Sequence, residues 1–306
     1  MVGSALRWLA FCCRNPKGQR KFRIPVIASK AKQSLGILEF SPILALGILE
    51  FLKSLQRENM QEIKKNYGLI LKGGNITLSD FTFERPFALL GNNLLVKVIG
   101  GGYSYIGASS VLRNASIGRY CSIGDNVCVG VGKHALSWAS TTSMTSTSFM
   151  FDDICSFGNF DGRIAPCEPM DWWPAHTKIG HDVWFGTGVF IPGAHDISIG
   201  TGAVVAGKAV VTKDIPAYAI AAGNPAKVVK MRFSDEIIAD LLSSKWWEYD
   251  LNYFYAKTGI KVPMNDIKAF LSFLAEHKEN LENSRFSCAK QVASCDGKNL
   301  QIKNLE

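Results

Sequence analysis

The sequence predicts a mainly β fold: a single-stranded left-handed parallel β-helix with an inserted loop and C-terminal α-helices. Three observations carry this. Aliphatic or aromatic residues recur every sixth position in two blocks, a glycine or proline often follows them, and a long aperiodic stretch separates the blocks. In the first block the inward positions are expected at Tyr105, Val111, Ile117, Ile123 and Val129, with Gly118, Gly124 and Gly130 after the last three. In the second they are Ile179, Phe185 and Ile191, followed by Gly180, Gly186 and Pro192, then Ile199, Val205 and Val211 after a two-residue slip. Ile106 is one residue out of phase.

A helix cannot bury every sixth residue, because six residues advance it by about 600° and leave successive apolar side chains some 120° apart. Short strands joined by turns can. One strand per hexad, with an aliphatic residue inward and a small residue at the bend, stacks into a three-sided prism with an aliphatic core. Glycine suits the bend because it tolerates positive φ and brings no Cβ.

Residues 1–59 read as a basic and apolar arm. They hold ten Lys/Arg against three acids, so most of the formal charge of +8 sits there and the body is nearly neutral. A domain-wide footprint for nucleic acid is therefore excluded. LeuGlyIleLeuGluPhe occurs at 35–40 and again at 46–51. Two readings of the arm stand. IPVIASKAKQS (24–34) resembles peptide from translated intergenic repeats, which sets the native start at Met60; alternatively the arm forms an amphipathic helix packed on the body or a partner. The run Leu35 to Leu52 approaches spanning length, but Glu39, Pro42 and Glu50 interrupt it, so no membrane span is expected. Eight cysteines without a CxxC pair, and the absence of a good secretory signal, fit reduced thiols in a cytoplasmic protein.

The β-helix domain is expected over 60–233, with the insertion at 134–176. After AspIlePro (214–216) the coil stops. A helix follows over Ser234–Tyr249, with Ser234 as N-cap, Asp235 and Glu236 in its first turn, and Ile237, Ile238, Leu241, Leu242 and Trp246 at helical spacing. A second is expected over Asn265–Leu281, within a helical segment at 234–282, and a frayed polar tail over 283–306.

RYCSIGDNVCVGVGKHALSWAS (119–140), IGHDVWFGTGVFIPG (179–193), VVTKDIPAYAIAAGNPAKVVKMRF (210–233) and FSDEIIADLLSSKWWEYD (233–250) together resemble the hexapeptide-repeat acyltransferases, within them the xenobiotic group of chloramphenicol and streptogramin acetyltransferases. The resemblance covers about residues 75–250. It implies an acetyl-CoA-dependent O-acetyltransferase that moves an acetyl group to a hydroxyl of a sugar, glycan precursor or antibiotic, in a homotrimer whose sites lie between subunits, with no metal.

His134, where the coil gives way to the loop, matches the family's catalytic histidine. Imidazole is the side chain whose ordinary pKa suits a base near neutral pH. By the same resemblance Trp184 lines the acceptor cleft, and the amides at Gly186 and Thr187 support the thioester oxyanion. Gly207, Thr212, Lys213, Lys227 and Lys230 match the cofactor-binding positions, where a few cations suit the phosphates. Two departures stand out. Lys208 replaces a common glycine, and alanine rather than proline follows His134.

In the loop, Trp138, Phe149, Phe151, Trp172 and Trp173 could stack on ring faces. Asp152, Asp153, Asp161 and Glu168 are candidates to orient His134 or an acceptor. Two rival readings are kept. The γ-class carbonic anhydrases share this β-helix and bind zinc through three histidines, and His176 and His181 are five apart as two ligands there are; but Gly186 stands five after His181, and His176 precedes the second block. The other rival is a non-catalytic β-helix that binds CoA or a partner. His195 and His277 have no role on this reading.

Overall fold

A computed structural model describes residues 22–23, 58–134, 136–141, 173–287, 290–296 and 299–305. A helix (58–67) leads into a parallel β-helix that starts at Leu69, with Ile63 buried beneath its first coils. Three ladders of inward side chains fill the prism. On the first face Leu89, Ile106, Ile123, Phe185, Val205 and Ala221 stack in register. On the second the order is Leu78, Leu95, Leu112, Val129 and Ile191, and on the third Ile117, Ile179 and Ile199. All are buried.

The second block therefore points inward as the sixfold spacing predicts. The start of the first does not. Tyr105 is 37% exposed and Val111 half-buried, while their neighbours Ile106 and Leu112 are fully buried. The physical reason is coil length: strand partners here lie seventeen residues apart, Leu89 with Ile106 and Leu95 with Leu112, so one side of each coil is reached after five residues. A strict hexad carried back from Ile117 misses the inward side by one, which in a strand reverses the face.

The bends also differ in detail from expectation. Gly118, Gly124, Gly180 and Gly186 are needed because the neighbouring coil touches them, not because of positive φ; Gly130 alone of those after the inward residues has it, at 71°. A Cβ on Gly118 would lie 2.5 Å from the carbonyl oxygen of Gly180. Left-handed φ falls two residues later and is carried mostly by side-chain-bearing residues, among them Tyr120 (63°), Asn126 (56°), Asp182 (53°) and Lys208 (64°). Lys208 thus occupies a left-handed bend position, in line with Asn126 and Gly188 on the coils before it.

The chain leaves the second face after Cys128–Val131 and returns to the third at Thr177–Ile179, so both ends of the insertion lie at the bend between those faces. The bend between the third and first faces is covered instead by helices. α2 (Asp235–Ser244) starts at Ser234 as expected but stops at Lys245, whose φ is 47°, and a 3₁₀ turn carries Trp246 and Trp247. α3 (Leu251–Thr258), inside the helical segment expected at 234–282 but between the two helices read there, is capped by Asp250 through Tyr253 N–H. The second expected helix is two: α4 (Ile267–Glu276), capped by Asp266, and α5 (Lys278–Glu282).

Tyr103 and Tyr120, at successive bends, stack with centroids 5.3 Å apart, and Tyr120 donates to Tyr249 O at 2.6 Å. Beside them Arg119 forks onto Glu84 at 2.6 and 3.0 Å, and its amide donates to His181 Nδ1 at 3.0 Å. His181 lies flat on Trp247. Burial alone would raise the Glu84 pKa; hydrogen bonding and charge from Arg119 outweigh it and lower it. Burial, then the Arg119 charge, pushes His181 down to about 4.

The tail is not frayed. Gln291–Asp296 and Asn299–Asn304 form a hairpin that pairs antiparallel with Ile76–Phe83 and buries Ala293, Cys295, Leu300 and Ile302. It covers the sheet edge left at the start of the β-helix, where exposed N–H and C=O groups would invite foreign strands. Phe22–Arg23 pair with its outer strand at Leu300 and Asn299; the rest of the arm before residue 58, including the Leu35–Leu52 run, lies outside the described residues. At the far end Ala226–Met231 turns back antiparallel on Ala219–Gly223. Among the described residues no helix is long and apolar enough to cross a membrane.

Two measurements check this packing. Gly118→Ala should cost about 2 kcal/mol and lower Tm by about 5 °C; an unchanged Tm contradicts the close coil contact. His181 stays neutral in the fold but gains a proton when unfolded below about 6.5, so its contribution to stability is complete above that pH and is lost as pH falls toward about 4. Wild type should lose Tm between pH 7 and pH 5, and His181→Phe, which keeps a ring over Trp247, should lose less; equal slopes refute the assignment.

Candidate active site

Trp184 lies on the first-face strand Trp184–Phe185, between Ser122 and Val204 of the adjoining coils. Alternation along that strand sends Val183 and Phe185 inward, so the indole points out and is 54% exposed. The strand ends in a bend that brings Gly186, Thr187 and Gly207 together. A Cβ on Gly186 would lie 2.5 Å from Gly207 N, and the Lys208 amide donates to Thr187 O at 2.9 Å. The Gly186 N–H donates to Val205 O at 2.8 Å, so it is committed to the coil ladder and is not a spare oxyanion donor. Among the described residues no partner takes the Thr187 N–H.

His134 follows the second-face strand at the opposite bend, where the loop departs. Its ring is exposed, and Nδ1 lies 2.9 Å from Thr141 O. A carbonyl oxygen only accepts, so the proton sits on Nδ1 and the basic lone pair on Nε2. This orienting group is backbone, which no residue type announces in a sequence. The carboxylates considered for that part, Asp152, Asp153, Asp161 and Glu168, lie outside the described residues, as do Phe149, Phe151 and Trp172. Trp138 is half-buried, and Trp173 carries the Lys97 ammonium 4.6 Å above its ring.

Thr212 and Lys213 sit at the same bend as the loop, on the last full coil, where His195 Nε2 donates to Thr212 O at 3.1 Å. Lys227 and Lys230 are exposed on the terminal antiparallel strand, opposite Ala222 and Ile220. The turn into that strand is tied to Val210 by two backbone bonds of 3.0 and 2.8 Å. Three residues of strand, roughly 10 Å, separate Lys227 from Lys230, so the lysines line the end of the prism rather than cluster. Within one chain His134 and Trp184 stand at different bends. Residues 188–192 of the second face, roughly 15 Å of strand, separate the level of Thr187 from the loop side.

The histidines weighed as zinc ligands have other partners. His176 Nε2 is 3.0 Å from Ser116 Oγ, and His181 is held by Arg119 and Trp247 at the other end of the intervening strand. Among the described residues no group of three His, Cys, Asp or Glu side chains is placed to hold a metal ion. His277 packs on Phe254 and Phe273 in the helical layer.

No protein-family model matches the chain. It is 38% identical over 135 residues to a chloramphenicol acetyltransferase of Agrobacterium fabrum, covering 43% of this chain and 58% of that protein. Against a protein of Lysinibacillus sphaericus named probable macrolide acetyltransferase, identity is 32% over 171 residues, covering 53% of this chain and 86% of the relative. A 48-residue stretch is 47% identical to virginiamycin A acetyltransferase of Staphylococcus aureus, covering 16% and 22%. The chain spans 58% to 60% of the length of the chloramphenicol acetyltransferases it matches. A solved hexapeptide-repeat acetyltransferase of Vibrio cholerae aligns with 60% of this chain and 79% of its own at 18% identity and a TM-score of 0.33, a likeness too low to bear on function. With inward ladders on a six-residue beat and 32% identity along nearly the whole of a macrolide-type relative, this chain belongs to the hexapeptide-repeat acyltransferases of the chloramphenicol, macrolide and virginiamycin acetyltransferase group.

Proposed function

We propose that the chain is an O-acetyltransferase that moves an acetyl group from acetyl-CoA to a hydroxyl of a sugar, a glycan precursor or an antibiotic. The observation that carries this reading is His134, at the mouth of the loop and held by Thr141 O in the tautomer that leaves Nε2 basic. Nε2 accepts the proton of the acceptor hydroxyl as that oxygen attacks the acetyl carbonyl. General-base help of this kind contributes about a hundredfold or more. The thioester supplies an acetyl group already activated for attack, so no covalent enzyme intermediate is needed.

The donor set suits acetyl-CoA. Lys213, Lys227 and Lys230 offer exposed ammonium groups for its phosphates, Thr212 flanks them, and the bare Gly207 bend leaves open backbone at which its chain can lie. The Thr187 N–H, with the Trp184 ring beside it, serves the oxyanion and the acceptor wall.

A neighbouring subunit completes the site. Since His134 stands at one bend of the prism and Trp184 on the first face, His134 of one copy meets the Trp184 face of the next. The first face favours this: Trp184, Val204 and Ile220 form an outward apolar column, with Tyr105 beyond the intervening Ser122, suited to burial against a partner. A homotrimer fits three such contacts. A cytoplasmic site of action agrees with reduced cysteines; Cys121, Cys128 and Cys295 are free thiols.

Thiol release from acetyl-CoA, measured across sugars, nucleotide sugars and hydroxylated antibiotics, tests the reaction. His134→Ala should lower acceptor-dependent kcat at least about a hundredfold with acetyl-CoA affinity nearly unchanged; full activity in this variant rejects the base. Lys213→Glu should raise KM for acetyl-CoA and spare that for the acceptor, and the reverse pattern rejects its placement.

A further inference from the structure

Where the loop returns, at the same bend from which the chain leaves through His134, three side chains of two adjoining coils meet. Ser116 Oγ is 3.0 Å from His176 Nε2, and His176 Nδ1 is 3.4 Å from Asn114 Oδ1. The Asn114 amide donates from Nδ2 to Pro174 O at 2.8 Å, which fixes Oδ1 as the end facing the histidine. Oδ1 accepts, so Nδ1 carries the proton and Nε2 receives the Ser116 hydroxyl. Every hydrogen-bond direction in the chain is thereby set, and it is the order of a nucleophile, its base and the group that orients the base.

The frame is rigid. Ser116 lies in the strand Ser110–Ile117, paired on both sides, and the His176 N–H is held by Asp196 Oδ1 at 2.8 Å. Asn114 occupies the left-handed bend of its coil at φ 49°. The surroundings suit a carbonyl substrate. Lys178 stands beside Ser116 in register on the next coil and is exposed, so a flexible cation is rooted next to the hydroxyl and can reach negative charge developing there. On the other side Ile99, 47% exposed, offers an apolar wall. Ser116 and His176 are both half-exposed, so the hydroxyl is within reach of solvent.

We propose that Ser116, His176 and Asn114 form a nucleophilic site that hydrolyses small carboxylic esters through a Ser116 acyl-enzyme. Ser116 Oγ bonds to the ester carbonyl carbon as His176 Nε2 takes its proton. The ester C–O bond breaks, and the alcohol leaves with that proton. Water, deprotonated by the same nitrogen, then attacks the acyl group; the acid departs and the proton returns to Ser116. Lys178 holds the oxyanion in both steps.

The test uses the full chain, a fluorophosphonate probe and p-nitrophenyl acetate. The probe should phosphonylate Ser116 with loss of fluoride, located by peptide mass spectrometry. His176→Gln, which keeps a hydrogen-bonding group beside Ser116, should slow labelling and p-nitrophenol release at least about a hundredfold, with Tm near wild type. Ser116→Ala should abolish the adduct. No adduct on Ser116, an adduct on another serine, or labelling unaffected by His176→Gln overturns the site and leaves His176 as a clamp on the loop.

Discussion

The close contact of one coil's bend with the next governs the rest of this molecule. Parallel strands stack at roughly 4.8 Å, and at Gly118 and Gly186 the following coil comes so near that a Cβ would meet backbone at 2.5 Å. Backbone cannot yield as a side-chain tip can. The glycines therefore lock the coils in register, and that register puts Ile123 over Phe185 and Ile117 over Ile179, although the insertion separates the members of each pair in sequence. A long loop can leave such a frame without disturbing it, because both ends are fixed by neighbours already in place.

The three bends then take different work. The one between the third and first faces carries Tyr103, Tyr120 and Tyr218 in left-handed φ and is closed by the helical layer, with Glu84, Arg119 and His181 as its polar anchor. A half-buried carboxylate is tolerable there because Arg119 meets it with two hydrogen bonds. Among the described residues no helix covers the other two bends. One holds Trp184, Thr187 and Lys208; the other holds the loop, His134 and Lys213. On our reading the chemistry is divided between them, which is why it needs a second copy.

Much of this was legible in the sequence, and the reasons are physical. Sixfold spacing reports one inward residue per strand, so Ile179, Phe185, Ile191, Ile199, Val205 and Val211 were readable from the text alone. Tyr105 and Val111 were misread because a coil of seventeen is invisible until strands are paired. Trp184 was readable through the family resemblance, and Lys208 as a replacement for a common glycine. Thr141 was not, since any residue offers a carbonyl. The hairpin at 291–304 escaped because the inward side of its first strand is Gln291, Ala293 and Cys295, small or polar residues with no apolar pattern until Phe81 and Phe83 are found beside them. Ser116, Asn114 and His176 escaped for the same reason: about sixty residues lie between partners that the coil stack brings to 3.0 Å.

The most direct test of the central claim, that two copies build one site, is complementation. His134→Ala and Trp184→Ala chains, each weakly active alone, are unfolded together, refolded as mixed oligomers and assayed for acceptor-dependent thiol release from acetyl-CoA. A shared site predicts that mixtures recover a sizeable fraction of wild-type activity, because some interfaces pair an intact His134 with an intact Trp184. Mixtures no more active than the separate variants would place both residues in one chain's site and contradict the account.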